Sequence, residues 1–116
     1  MKQNEKVLTI MIRNHQRRWW YPPDFMRPPF AVGELYVGYE ASARLSGLAR
    51  RFPEMLETRI SPTDPKYKER RFRFENVPDI VQVLPDGLRR HVVAELAAVG
   101  IVAENAVRQP AQTDLF

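Results

Sequence analysis

Two clusters in this chain have residue types and spacings suited to recognition. Between positions 42 and 51 the small side chains Ser42, Ala43, Ser46 and Gly47 are interleaved with Arg44, Arg50 and Arg51. Between positions 66 and 73, Lys66, Lys68, Arg70, Arg71 and Arg73 place five cations in eight residues, broken only by Tyr67, Glu69 and Phe72. A guanidinium stays charged at any physiological pH, and its planar fork of donors matches two acceptor atoms side by side. A lysine ammonium supplies a compact charge for an oxyanion. The chemistry implied is noncovalent: the gripping of a polyanion, with small residues where a surface must come close.

Bond-making chemistry lacks its parts. The absence of cysteine removes thiolate nucleophiles, thiolate zinc sites and disulfides together. His15 and His91 lie far apart, with no histidine at helical spacing, so packing or solvent contact accounts for them better than a metal does. No glycine-rich phosphate loop, nucleophile elbow or suitably placed carboxylate pair is visible, and Asp24 and Asp79 read as turn or cap residues. The expectation is a non-enzymatic protein without metal or small-molecule cofactor.

The elements that must position the two clusters follow from periodicity. Apolar residues Val7, Leu8, Met11 and Ile12, with His15, recur at spacings of three and four, predicting an amphipathic helix from Asn4, its cap, to about Arg18. Trp19-Trp20-Tyr21 suit a short strand, with the tryptophans in the core rather than stacked on a ligand. Pro22-Pro23 then allows one helical turn at Asp24–Met26, and proline and glycine make the stretch to Gly38 a structured loop. From Glu40 to Phe52, Ala41, Leu45, Leu48, Ala49 and Phe52 share one helical face, which predicts a helix whose opposite face carries the first cluster. Pro53 ends it.

Met55–Ile60 and Arg70–Phe74 read as a pair of strands, the second with Phe72 and Phe74 on one side and Arg71 and Arg73 on the other. The intervening Ser61–Glu69 is too long and proline-rich for a tight turn and predicts a mobile basic loop. Leu84-Pro85-Asp86 starts a last helix with the stripe Leu88, Val92, Leu96 and Val99, closed by Gly100. Beyond Ile101 no core-forming period remains, predicting a flexible tail after a domain spanning 1–100.

The order of these elements resembles the winged helix-turn-helix family. The likeness rests on Trp20-Tyr21-Pro22-Pro23-Asp24-Phe25, on Gly38 to Leu48, and on the strands ending Arg71-Phe72-Arg73-Phe74, while the loop from Arg27 to Gly38 is longer than the usual turn. The resemblance implies an α+β fold: a three-helix core, a two- to three-stranded antiparallel wing and a C-terminal helix. It also implies a DNA-binding accessory or regulatory protein, in transcription or replication, of a kind found in phages and mobile elements. Glu40–Phe52 would then be the recognition helix in the major groove of duplex DNA. Ser42, Ala43, Ser46, Gly47 and Arg50 would meet base edges, Arg44 and Arg51 phosphates, and the cationic hairpin the backbone or minor groove. Glu40, Glu54, Glu57, Glu69 and Glu75 favour the alternative, a protein-interaction module that blocks a host replication factor without DNA.

The last five residues, Gln112-Thr113-Asp114-Leu115-Phe116, resemble the pentapeptide by which bacterial replication and repair proteins dock on the sliding clamp. The resemblance implies that Leu115 and Phe116 enter an apolar pocket, with Gln112 hydrogen-bonding at its rim and Asp114 at the acidic position. Burying the two apolar side chains yields on the order of 3 to 6 kcal/mol before the ordering of the segment is subtracted, so such a tail binds weakly by itself.

Bulk properties agree with one small domain. The 116 residues suffice for a single core, 44% are hydrophobic, and 18 Lys and Arg against 14 Asp and Glu give a net charge of +4. Val7–Ile12 is too short to span a membrane, and no cleavage pattern follows it. A soluble cytoplasmic protein is expected.

Overall fold

A computed structural model describes residues 1–102. Its four α-helices and one two-stranded antiparallel sheet make an α+β fold. The first helix, α1 (Gln3–Arg13), lies at the centre. Val7, Leu8, Thr9, Ile10, Met11 and Ile12 are all buried, so α1 is covered nearly all round and not on a single stripe. Two later helices, α2 (Ala41–Arg51) and α4 (Asp86–Ala98), pack against it. Lys2 rather than Asn4 is the N-cap: its backbone N–H donates to Glu5 Oε1 at 2.9 Å. The helix stops at Arg13, short of the expected Arg18, because the Asn14 side chain and backbone both donate to the Ile10 carbonyl, at 2.8 and 3.2 Å. His15 therefore sits in an exposed turn, its ring edge-on to Phe74.

The docking of α1 on α4 is partly polar. Thr9 Oγ1 lies 2.7 Å from His91 Nε2, which satisfies a hydroxyl that burial would otherwise penalise. Arg13 donates twice to the Glu95 carboxylate, at 2.8 and 3.3 Å. At its far end α4 closes as expected on Gly100 (φ 90°): Gly100 N–H donates to Ala97 O and Ile101 N–H to Leu96 O, at 3.0 and 2.8 Å.

The expected strand at Trp19–Tyr21 shrinks to one bridge. Trp20 and Arg70 exchange both backbone hydrogen bonds, at 2.9 and 2.7 Å, while the Trp20 ring is buried against Phe25 and Phe30. The helical turn that follows is a 3-10 turn, Pro22–Phe25, where Asp24 accepts the Tyr21 N–H at 3.0 Å. Asp24 also holds Arg17 at 2.7 Å, and Arg17 lies over the Trp20 and Phe30 rings. Burial pushes the Asp24 carboxyl above its ordinary range, against the Tyr21 N–H and Arg17, which favour its charged form.

Past the loop, α2 buries Ala41, Leu45 and Leu48, and Phe52 beyond its end is buried too, as periodicity predicts, while Ala49 is only partly buried. The hairpin is β1 (Leu56–Ile60) paired antiparallel with β2 (Lys68–Phe72). β2 thus starts two residues earlier than expected and ends before Arg73. The loop between the strands is tied down: Ser61 N–H donates to Tyr67 O and Tyr67 N–H to Asp64 O, both at 3.0 Å, and Ser61 Oγ accepts the Thr63 and Asp64 N–H groups. The expectation of a loose loop missed this serine.

One further helix, α3 (Val77–Val83), has no counterpart in the sequence reading. Pro78 occupies its first turn, where a missing N–H costs nothing. The buried Val77, Ile80 and Leu84 lie at helical spacing and carry the signal that could have revealed it. Arg89 of α4 donates to the Val81 and Leu84 carbonyls at the end of α3, each at 2.8 Å.

Truncating the buried Leu45 to alanine should cost about 2 to 5 kcal/mol in urea unfolding, the loss of transfer energy plus a cavity. Gly47→Ala, where an added methyl meets nothing within 4 Å, should instead stabilise by about 0.5 to 1 kcal/mol.

Candidate nucleic-acid interface

The register of the hairpin decides what each cation can do. Leu56 faces Phe72, Glu57 faces Arg71, Thr58 faces Arg70, Arg59 faces Glu69, and Ile60 faces Lys68. Because successive side chains alternate between faces, Arg71 and Glu69 share one face of β2 with Glu57 and Arg59 across the ladder. That face is a network of ion pairs. Arg71 Nε donates to Glu57 at 2.7 Å and its two terminal nitrogens to Glu75 at 3.1 and 2.7 Å. Arg59 meets Glu69 at 2.7 Å, Ser61 Oγ donates to the other Glu69 oxygen at 3.0 Å, and Arg59 lies 4.1 Å above the Trp19 ring. The hydrogen bonds from Arg71 hold the Glu75 carboxylate down to about 2, helped by its own backbone N–H, and the same contacts raise the Arg71 pKa.

Arg71 is therefore not a free cation of the outer surface, contrary to the sequence expectation. Arg70 departs from it further: it is buried at 5% exposure on the opposite face, its Nη2 3.3 Å from Ser46 Oγ of α2. Arg73 lies beyond β2, half-buried, with its Nε enclosed and without a partner among the described residues. Of the five hairpin cations, Lys66 and Lys68 remain exposed, and Lys66 only approaches Asp64, at 3.9 Å.

The first cluster stands as its periodicity placed it. Ser42, Ala43, Ser46, Arg50 and Arg51 are exposed, and Arg44 and Gly47 are half-exposed. Arg44 makes a loose pair with Glu40 at 3.7 Å, one turn earlier, and Arg51 packs over the Phe52 ring. Beside this face Asn4 of α1 joins Ala43, Arg44, Gly47, Arg50 and Arg51 around a shallow groove. The other flank of α2 meets the hairpin: Ser42 and Ser46 together with Lys66, Tyr67, Lys68 and Arg70 line a cleft of about 210 Å³, with Pro22 and Leu45 as its apolar wall.

So the two clusters adjoin, through Lys66, Lys68 and the buried Arg70, while Arg71 is taken up by Glu57 and Glu75 and Arg73 does not line the shared cleft. The sequence reading missed Asn4, Tyr67 and the almost fully exposed Tyr39 at the head of α2, 95% accessible. Tyr67 stood between Lys66 and Lys68, the spacing of an aromatic among cations; nothing marked Asn4 except its place near the start of α1. Gln112, Asp114, Leu115 and Phe116 lie outside the described residues. Among those described, no helix is long and apolar enough to cross a membrane.

The Arg71–Glu75 contact gives this face a pH signature. Glu75 is held at about 2 in the folded chain, below its ordinary value near 4.5, so the folded state binds fewer protons than the unfolded one in between. Its stabilisation is whole above about pH 4.5 and lost as pH falls toward 2. The Glu75 side chain is 56% exposed, so solvent and salt keep the effect small. Acid titration of urea stability should show this slope weakened in Glu75→Gln; an identical profile would mean that the contact does not form in solution.

Comparison with known proteins finds no matching family model, no similar curated protein and no solved structure of matching fold.

Proposed function

We propose that this chain is a non-enzymatic protein that binds duplex DNA in the manner of a winged helix-turn-helix domain, with α2 in the major groove and the hairpin as its wing. The observation that carries the reading is the joint surface of α2 and the hairpin loop: small residues and arginines on the open face of the helix, and lysines across a shared cleft. Ser42, Ala43, Ser46 and Gly47 let the helix approach base edges without steric bulk, and Arg50 supplies the fork that fits guanine. Arg44, Arg51, Lys66 and Lys68 would meet phosphates, which fix register without reading sequence. The hairpin's outer face, neutralised by Glu57, Glu69 and Glu75, points to a smaller footprint than five hairpin cations would give.

Neutralising four or five phosphates implies a logarithmic salt slope of about −4, so affinity for a random duplex should fall on the order of a hundredfold between 50 and 200 mM salt. Fluorescence anisotropy on a labelled duplex measures this. Arg51→Ala should reduce the slope by about one, and Arg50→Ala should also relax sequence preference in a selection from a random pool. Absence of binding at low salt would favour the protein-interaction alternative.

The reading extends to a sliding clamp through Gln112–Phe116. A weak clamp peptide on a chain already held on DNA gains from raised local concentration. Replacing Leu115 and Phe116 by alanine should abolish capture of the clamp in a pull-down while shifting the thermal midpoint by less than about 1 °C, since no core period reaches that segment. Clamp capture that persists without these side chains would dismiss the motif.

A further inference from the structure

We propose that the cleft between α2 and the hairpin is a built site for one phosphate group, with Arg70 as its buried anchor. An arginine this enclosed normally faces a carboxylate, because a buried charge left uncompensated is strongly unfavourable. Arg70 has no such partner among the described residues. Among the described residues its side chain has one hydrogen bond, to the neutral Ser46 hydroxyl at 3.3 Å, and its buried Nε has no acceptor. The acids nearest in sequence are taken: Glu69 points to the other face of β2, toward Arg59 and Ser61, and Glu75 holds Arg71. Burial alone perturbs Arg70, lowering its pKa, with no opposing anion to restore it.

The surroundings fit a small oxyanion. Lys68 lies two residues before Arg70 and so shares its strand face, Lys66 adds a second ammonium, and Ser42 and Ser46 offer hydroxyl donors from successive turns of α2. A cleft of about 210 Å³ is smaller than the pockets that hold drug-sized ligands, and comparable to a phosphate with part of its ester. Among the described residues no carboxylate lines it to repel an anion. Arg70 is among the residues lining the cleft, and guanidinium N–H groups take phosphate oxygens through charge-assisted hydrogen bonds.

Two sources could present this group: a backbone phosphate of duplex DNA, in which case the site rests on the DNA-binding reading, or a small phosphorylated ligand, in which case it does not. The Nε–H resonance of Arg70, assigned by comparison with Arg70→Met, reports on its guanidinium by heteronuclear NMR on the full chain. Inorganic phosphate and a short duplex are titrated separately, with chloride at matched ionic strength as the control. We expect the Arg70 signal to move downfield with phosphate at millimolar concentration, beyond the chloride effect. The same shift with duplex at a lower concentration identifies the backbone as the source; a response to phosphate without one to duplex identifies a small ligand. An Arg70 signal indifferent to both overturns the site, even where shifts of the Arg50 and Ser42 amides show that duplex binds α2. Arg70→Met should also be at least as stable as the parent in phosphate-free buffer, since it removes an unpaired buried charge; marked destabilisation would show Arg70 to be structural instead.

Discussion

The paired backbone hydrogen bonds between Trp20 and Arg70 are the constraint on which this arrangement turns. They tie the chain leaving α1 to the middle of β2, and so fix the hairpin against the core that Trp20, Phe25 and Phe72 share with α2. With the hairpin held there, one face of β2 must look toward α2 and the other outward. Phe72 enters the core, Arg70 is drawn in beside Ser46, and Lys68 reaches the mouth of the cleft. A shift of register by one residue would exchange every one of these roles.

From that constraint follows a division of labour among the cations. The outward ladder of Glu57, Arg71, Arg59 and Glu69 satisfies itself and braces the hairpin, with Trp19 stacked beneath Arg59. The inward face keeps charge unsatisfied. Exposed ion pairs contribute little to stability, whereas a buried unpaired arginine works against it. Positive charge is thus neutral in effect where the fold pairs it and available for recognition where it does not, on the open face of α2 and in the adjoining cleft. The proposed DNA-binding role would draw on that second group alone, with a reach set by α2 and the hairpin loop rather than by the whole basic stretch from Lys66 to Arg73.

The central position of α1 explains why so short a chain can hold this geometry. Burying Val7 through Ile12 on all sides gives α2 and α4 a common wall, and Thr9 with His91 and Arg13 with Glu95 set the angle of α4 against it. α3, pinned at its end by Arg89, adds the buried Val77 and Ile80 to the core.

The sequence by itself determined what depends on near neighbours along the chain. The buried and open faces of α2, the glycine cap of α4, the existence of the hairpin and the cap role of Asp24 were all legible, because helical and strand periods and turn chemistry act over a few residues. What the tertiary structure decided is which partner each side chain meets. The alternation in Arg70-Arg71-Phe72 puts two arginines on opposite faces, yet nothing local says that Glu57 awaits one and a serine of α2 the other. The same holds for α1, whose stripe reads as amphipathic until a second helix covers its far side. Burial and charge pairing are made by contacts between segments distant in the chain, and the register and packing that create those contacts exist only in the folded molecule.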